Sequence, residues 1–372
     1  MTALTNIYIP ILKGKSGEFE ALSKINPGTW KRIIPLLEII PFTKIQEDGE
    51  ESLVIAGEIE DLANKIGKAC ANGGPVILDF SFIEEESKIQ NSGEFPSAGL
   101  CALLKKQNIG FLCAVSPDSA TGHIDFVRAH LEQNPEESIL LRIRKSYFDD
   151  ADNLGGDIRS LIDSLKISPD RAILMIDLES VTGDGLERKA VEGILRVDVP
   201  EIDRWQRIYI AGSSFPKDLT GITRDTIHSI VRQELILWRA LKNSFRKDLQ
   251  FSDYTIAHPG LGFLEFDPLK HTTSASIRYT SENCWHIFRG RALKKRLSGL
   301  AKPFEQFYSL ALKIVNHSSY CGKMFSWGDN RIDEAAQRIG GTGNLATWRA
   351  VATNHHIEYI VSQDLDASSP DS

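Results

Sequence analysis

Short apolar runs of the β type, each followed by a polar residue and then a helical stretch, recur along most of the chain. Seven such units follow one another at a spacing of about 30 residues. The runs lie at 7–12, 33–37, 76–78, 110–115, 139–141, 172–176 and 208–211. Strands that alternate with helices predict parallel pairing. A series of this length predicts an α/β fold, a parallel (β/α)8 TIM-like barrel.

The eighth strand is the least clearly marked of the series. We place it at residues 249–254, because this run follows a helical pattern over 222–245 and again carries a carboxylate, Asp253, at its end. With this strand, the first 260 residues account for one complete barrel.

After the barrel, the pattern changes to a β-hairpin followed by helices. Residues 276–280 and 284–289 alternate at strand period. Helical patterns then cover 303–315, 331–338 and 346–352, and a strand-like run covers 357–361. The sequence therefore predicts a barrel at 1–260, a C-terminal β-hairpin plus helical appendage packed on it at 261–361, and a disordered tail at 362–372.

Composition narrows the class of protein. The chain has 372 residues, a formal net charge of −7 and no apolar run as long as a membrane span. Its five cysteines are odd in number and lack paired spacing, which indicates buried thiols in the reducing cytoplasm. The negative charge disfavours binding of a bulk polyanion.

One stretch, residues 278–302, is strongly basic against this background. Its only acidic residue is Glu282, and its cations are Arg278, Arg289, Arg291, Lys294, Lys295, Arg296 and Lys302. Such a stretch is either a solvated face or a surface that meets phosphate, nucleic acid or a partner protein.

Acidic residues follow several of the predicted strands, and in a parallel barrel they converge at one end. The candidate catalytic residues are Glu38, Asp79, Asp177 and Glu179. Asp177 and Glu179 are two apart in a strand, so they are expected to share a face. Carboxylates placed in this way can divide general acid and base roles, or hold Mg²⁺ or Mn²⁺. No histidine belongs to the set, which disfavours a metal.

Cations and hydroxyls are predicted at the same end of the barrel. The candidate ligand-binding residues at this end are Lys13, Lys15, Arg142, Arg144, Ser213 and Ser214, and Arg278 and Tyr279 of the predicted hairpin are further candidates. Arginine forks suit phosphate, and the two serines follow the seventh strand, where barrels often bind phosphate. The alternatives are a network of mutually compensating ion pairs and, for the serines, a capped turn.

The C-terminal region supplies a second candidate site, rich in aromatic and polar side chains. Its members are Trp327, Asp329, Trp348, Arg349, Asn354, His355 and His356. Aromatic and cationic groups in short order can stack a base or bind a ligand. The alternative is that Asn354 and His355 satisfy backbone groups where this segment docks on the barrel.

Several segments together resemble the Beta protein family. They are YIPILKGK at 8–15, GEF at 17–19, PLLEI at 35–39, SSFP at 213–216, FSWGD at 325–329, TWR at 347–349 and NHH at 354–356. The resemblance implies that residues 1–361 form one evolutionary unit. It also implies an association with phage and with mobile or defence-related bacterial genes. It supplies no reaction and no catalytic residue.

Two functions follow from these patterns. The first is a phage, mobile-element or anti-phage defence protein whose barrel mouth binds a phosphate-bearing anion, with hydrolysis of a phosphodiester left open. The second is a non-catalytic sensor or adaptor that binds a protein or nucleic acid. An enzyme is expected to leave Lys13, Arg142 and Asp177 incompletely paired in a pocket, whereas an adaptor is expected to pair them fully.

Overall fold

The computed structural model describes residues 7–41, 53–54, 56–71, 73–90, 92–245, 247–260 and 273–363. The strands are β1 (Ile9–Leu12), β2 (Leu36–Glu38), β3 (Leu53–Val54), β4 (Val76–Asp79), β5 (Lys88–Ile89), β6 (Phe111–Val115), β7 (Ile139–Arg144), β8 (Ala172–Ser180), β9 (Arg207–Ser213), β10 (Ile227–Val231), β11 (Leu249–Asp253), β12 (Ser274–Thr280) and β13 (Cys284–Ala292). The α-helices are α1 (Ser16–Ser23), α2 (Pro27–Trp30), α3 (Ala56–Cys70), α4 (Pro96–Lys106), α5 (Thr121–Gln133), α6 (Lys145–Phe148), α7 (Leu154–Leu165), α8 (Leu186–Gly193), α9 (Gln233–Lys242), α10 (Lys295–Ser298), α11 (Gln306–Val315), α12 (Trp327–Ala336) and α13 (Leu345–Ser362).

Eight parallel strands close into a barrel, as the alternating pattern predicts. Their order around the barrel is β1, β2, β4, β6, β7, β8, β9 and β11, and β11 pairs with β1 to close the ring. All eight pairings are parallel, so the carboxyl ends of the strands lie at one end of the barrel. The prediction of a TIM-like barrel is confirmed, including the choice of the eighth strand.

The barrel strands are buried on both faces, which explains why their sequences read as continuous apolar runs. The inward faces of the strands form an apolar cluster that contains Ile9, Leu36, Ile77, Leu140 and Met175. The outward faces pack against the surrounding helices in a second, larger cluster. The next inward positions, at the carboxyl ends of the strands, are polar, and this is where the candidate site lies.

A three-stranded antiparallel sheet in the order β10–β13–β12 lies outside the barrel. β12 and β13 are the predicted hairpin, whereas the prediction of one helix over 222–245 is wrong. Its first part is strand β10, which pairs along its length with β13, and only Gln233–Lys242 is helical. Ile227, Ile230 and Val231 have high strand propensity, and the pairing partner is distant in sequence.

The C-terminal helix α13 runs from Leu345 to Ser362 and contains the predicted strand at 357–361, so that prediction is wrong. Ile357, Ile360 and Val361 also fit a helical face, and a short apolar run alone does not distinguish the two states. α13 packs on α1, where a Cβ at Gly17 would lie only 2.5 Å from the carbonyl oxygen of Ala346.

The α12 helix begins at Trp327, four residues before the predicted start at 331. Most of the tail predicted at 362–372 lies outside the described residues, and the proposed division at 260 and 361 stays a prediction. No described helix has the length and apolar character needed to cross a membrane.

Candidate functional site

Arg142, on β7, lies at the centre of the barrel mouth and is fully enclosed by acceptors. Its Nε and Nη2 donate to Asp177 Oδ2 at 2.9 and 2.6 Å, and Nη2 also contacts Glu38 Oε1 at 2.8 Å. Nη1 donates to Asp79 Oδ2, and Nη2 lies 2.7 Å from the Tyr254 hydroxyl. These side chains are at most 1% exposed. The strand-end carboxylates therefore converge as predicted, but they converge on an arginine.

Lys13, the residue that follows β1, joins the same network. Its Nζ donates to Glu38 Oε2 at 2.6 Å and to the carbonyl oxygen of Pro259. The ammonium lies 5.5 Å from the ring centroid of Tyr254 and 5.7 Å from that of Phe82, within the range of cation–π attraction. Lys13 is also buried, so both cations at the centre of the mouth are paired and covered.

The charges of this network are mutually stabilised. Burial by itself would lower the pKa of Arg142, but Tyr254, Asp177, Glu38 and Asp79 outweigh it and hold that pKa well above its ordinary value. Burial would raise the pKa of Asp79, but the neighbouring arginines and hydrogen bonds from Ser81 hold it below its usual range. Both groups therefore stay ionised at neutral pH.

Among the described residues, the side chains of Glu179 and Arg144 form no ion pair with members of the buried network. Glu179 has a positive φ of 53°, and the pairing of β8 with β9 shifts in register between Asp177 and Ser180. This irregularity interrupts the strand alternation on which the expected shared face depends, and the two carboxylates have different partners: that of Glu179 accepts from the backbone N–H of Ser146 at 2.8 Å. Arg144 contacts Asp118 at 3.3 Å and lies over the ring of Phe82.

Among the described residues, the buried network at the centre of the mouth has more carboxylates than cations. Its cations are Lys13 and Arg142, and its carboxylates are Glu38, Asp79 and Asp177. An anion that entered the centre of the mouth would meet this excess of negative charge.

Ser213 and Ser214 use their hydroxyls inside the fold. Ser213 Oγ donates to the carbonyl oxygen of Ala257 at 3.1 Å. Ser214 Oγ lies 2.9 Å from both the carbonyl oxygen of Val231 and a carboxylate oxygen of Glu234. These contacts anchor the loop after β9 to the following elements, as a capped turn would.

A second group of cations, which we call the rim cluster, consists of Lys15, Arg278 and Arg349. Lys15 follows β1 just before α1, Arg278 lies on β12, and Arg349 lies on α13 where Gly17 contacts that helix. Arg278 donates to the carbonyl oxygen of Ile256, beyond the end of β11, at 2.7 Å. The cluster therefore lies at the rim of the barrel, on the side of β1 and β11.

The members of the rim cluster repel one another. Burial and then repulsion from Arg349 lower the pKa of Lys15 to about 7, although Glu18 opposes the shift. Burial and then Arg349 also lower the pKa of Arg278 to about 9. Within the described residues, neither Arg278 nor Arg349 has a carboxylate at ion-pair distance. Three cations brought together in this way favour an anionic ligand.

The second candidate site is a set of buried contacts between α13, α12 and β12. His355 Nδ1 lies 2.8 Å from Asp329 Oδ2, and Asp329 Oδ1 accepts a hydrogen bond from the Tyr279 hydroxyl at 2.7 Å. Asn354 accepts from the N–H of Gly328 at 2.9 Å. Trp348 stacks on Phe307 and donates to the carbonyl oxygen of Thr342. Trp327, at the start of α12, packs against the adjoining core.

His356 connects α13 to the barrel. Its Nε2 lies 3.0 Å from Asp253 Oδ2, and its Nδ1 lies 2.9 Å from the Thr280 hydroxyl. Asp253 also accepts from Tyr8 at 2.5 Å and from Arg232 at 3.0 Å. Burial lowers the pKa of His356, which favours the neutral ring. His355 and His356 therefore point to different polar networks, and Arg349 is the member of the predicted set that belongs to the rim cluster.

The basic stretch at 278–302 does not form one surface. Arg289 is buried and donates to the carbonyl oxygens of Leu219 and Ile222. Arg291 pairs with Asp225, and Lys302 pairs with Glu305. Arg278 turns towards the barrel, so the cations of this stretch serve different local roles.

Among the described residues, no group of three or more histidine, cysteine, aspartate or glutamate side chains is arranged to hold a metal ion.

The sequence analysis did not identify Tyr254 and Phe82 as members of the buried network at the mouth, or Glu18 as a neighbour of the rim cluster. The position of Tyr254 at the end of the eighth strand was the available signal. Nothing in the sequence joins Arg349 to Lys15.

These features define a parallel β/α barrel whose mouth is filled by a buried ionic network and whose rim carries three clustered cations. The chain belongs to the Beta protein family, whose model matches residues 8–362. It is similar to Protein beta of Enterobacteria phage P4, with 25% identity over 370 residues that cover 94% of this chain and 91% of the relative. The family is therefore associated with phage.

The chain also matches a solved N-terminal domain from Bacteroides vulgatus that is described as belonging to an aldolase. The match covers 97% of each chain, with 11% identity and a TM-score of 0.34. Similarity at this level supports no conclusion about activity.

Proposed function

We propose that the protein binds a phosphate-bearing anion at the rim cluster and that the buried network of the mouth is structural. The observation that carries this proposal is the convergence of Lys15, Arg278 and Arg349 from three separate parts of the chain. Their mutual repulsion costs folding free energy, and a bound anion would relieve it. Phage infection or defence against it is the setting that we propose for this binding.

The contacts of the buried network support a structural role. Arg142, Lys13 and Asp177 are fully paired, which is the arrangement expected for a non-catalytic binding protein. A carboxylate oxygen that already accepts several hydrogen bonds from an arginine and a tyrosine is a poor general base. We therefore do not propose that the protein hydrolyses phosphodiesters.

The test is calorimetric titration of the full chain with inorganic phosphate at pH 8 and low salt. We expect saturable binding that weakens at least about tenfold in Arg349→Gln, since a charged hydrogen-bond donor is lost. Arg296→Gln is the matched control, because Arg296 is an exposed arginine within the basic stretch. Equal loss in both variants, or no binding by the wild type, would refute the proposal.

A second measurement separates binding from hydrolysis. The wild type should not cleave a chromogenic phosphodiester above background, with or without Mg²⁺ or Mn²⁺. Turnover that disappears in a folded Glu179→Gln variant would instead assign a catalytic role to that carboxylate.

A further inference from the structure

The charge balance of the rim cluster indicates what kind of anion fits it. Glu18 lies beside Lys15 and raises the pKa of that lysine, and it also raises the pKa of Arg278. The Glu18 Oε2 atom also accepts from the backbone N–H groups of Lys13 and Lys15, both at 3.0 Å. Because this one carboxylate faces three cations, the cluster keeps a net positive charge within the described residues, carried in large part by the guanidinium groups of Arg278 and Arg349.

Arg278 is held in place before any ligand arrives. Its Nη1 donates to the carbonyl oxygen of Ile256, and its guanidinium carbon lies 4.6 Å from the ring centroid of Phe215. Phe215 is buried and Arg278 is only partly exposed, so the ring supports one face of the guanidinium. A guanidinium fixed in this way loses little side-chain entropy on binding.

Arg349 approaches from a different element, the first turns of α13. The backbone of Gly17 lies against this part of the helix, where an added Cβ would be 3.1 Å from Arg349 Cβ. Two guanidinium groups on separate supports suit an oxyanion with several equivalent oxygens, because each fork can bind its own edge.

From this arrangement we propose that the rim cluster selects a dianionic terminal phosphate, a phosphate monoester, over the singly charged diester of a nucleic-acid backbone. This inference rests on the proposed function, because it names the ligand class of the same site. A monoester carries nearly two charges above its second pKa of about 6 and offers three terminal oxygens. A diester carries one charge and offers only two unesterified oxygens.

The direct test compares methyl phosphate with dimethyl phosphate as ligands of the full chain at pH 8. We expect the monoester to bind at least about tenfold more tightly, and Arg349→Gln to remove most of that preference. Arg296→Gln should keep the preference. Equal affinity for the two ligands would overturn the inference while leaving anion binding intact, whereas binding of neither would refute the proposed function as well.

Two further ligands distinguish a small-molecule monoester from the phosphorylated end of a nucleic acid. A nucleoside 5′-monophosphate tests a small molecule, and a short 5′-phosphorylated DNA strand tests a nucleic-acid end, with the 5′-hydroxyl strand as its control. Both phosphorylated ligands are expected to bind more tightly than the 5′-hydroxyl strand. If the 5′-hydroxyl strand binds as tightly as the phosphorylated strand, backbone diesters are the ligand and the inference fails.

A pH series provides an independent check, with sulfate as the reference because it stays dianionic throughout. From pH 8 to pH 5.5, methyl phosphate gains a proton and approaches a single charge. Over the same range Lys15, whose pKa is lowered to about 7, becomes fully charged, which strengthens the binding of either anion. The affinity ratio of methyl phosphate to sulfate should therefore fall by several fold towards pH 5.5. A constant ratio would contradict selection by ligand charge.

Discussion

Arg142 donates two hydrogen bonds to a single oxygen of Asp177, from Nε at 2.9 Å and from Nη2 at 2.6 Å. The same oxygen also accepts from the Tyr254 hydroxyl at 2.6 Å. Asp177 Oδ2 is thus surrounded by donors and shielded from solvent, and the other oxygen accepts from the N–H of Glu179. The strongest ionic contacts of the barrel mouth therefore hold the strand ends together.

The first prediction is that Arg142→Met strongly destabilises the protein. The change leaves the carboxylates of Glu38, Asp79 and Asp177 buried without their central cation, and breaking a buried pair costs about 3–5 kcal/mol. Urea unfolding measures this loss. Arg204→Gln, which removes two exposed ion pairs, those with Asp170 and Glu201, should cost far less. A small loss for Arg142→Met would show that the network is not what holds the strand ends.

The second prediction concerns the contact between α1 and α13. In Gly17→Ala, the new methyl group would lie 2.5 Å from the carbonyl oxygen of Ala346, so α13 must shift. We expect a loss of about 1–3 kcal/mol in the free energy of unfolding. Phosphate binding should also weaken, because the shift moves Arg349.

The control for this substitution is Gly28→Ala, where nothing lies within 4 Å of the added atom. It should leave both stability and phosphate affinity close to those of the wild type. Unchanged phosphate affinity in a measurably destabilised Gly17→Ala variant would argue that Arg349 does not contact the ligand.

The third prediction is a pH dependence of stability that arises at Glu234. Burial raises the pKa of this carboxyl to about 7, although Arg232 and a hydrogen bond from Ser214 oppose the shift. Because the folded state holds this proton more tightly than the unfolded state, its stabilising contribution is full below about pH 4.5. It is lost as pH rises through 7.

Glu234→Gln should remove this dependence, since the amide does not ionise. The difference in unfolding free energy between the variant and the wild type should move in favour of the variant by roughly 3 kcal/mol between pH 4.5 and pH 8. Urea unfolding at several pH values measures it, with the exposed Glu86→Gln as control. A difference that does not vary with pH would place the pKa of Glu234 near its ordinary value.

Much of the fold could be predicted because the barrel strands carry their own signal. Runs such as 139–141 and 172–176 are apolar on both faces, and their regular alternation with helical stretches is typical of a parallel sheet covered on both sides. The two wrong assignments, at 222–245 and 357–361, concern segments whose local pattern fits more than one structure. Strand β10 forms because β13 offers it a partner, and Ile357 is helical because α13 packs against the barrel.

The sequence by itself determined that charged side chains would follow the strands and meet at one end of a parallel barrel, since strand direction fixes that end. Only the tertiary structure decided which charges neutralise one another. Arg142 reaches across the barrel to three carboxylates, so the centre of the mouth is filled. Arg349, far from Lys15 in sequence, is brought to it by the docking of α13 on Gly17. Pairing depends on distances of a few ångströms between side chains on different elements, and a linear pattern of residue types does not contain those distances.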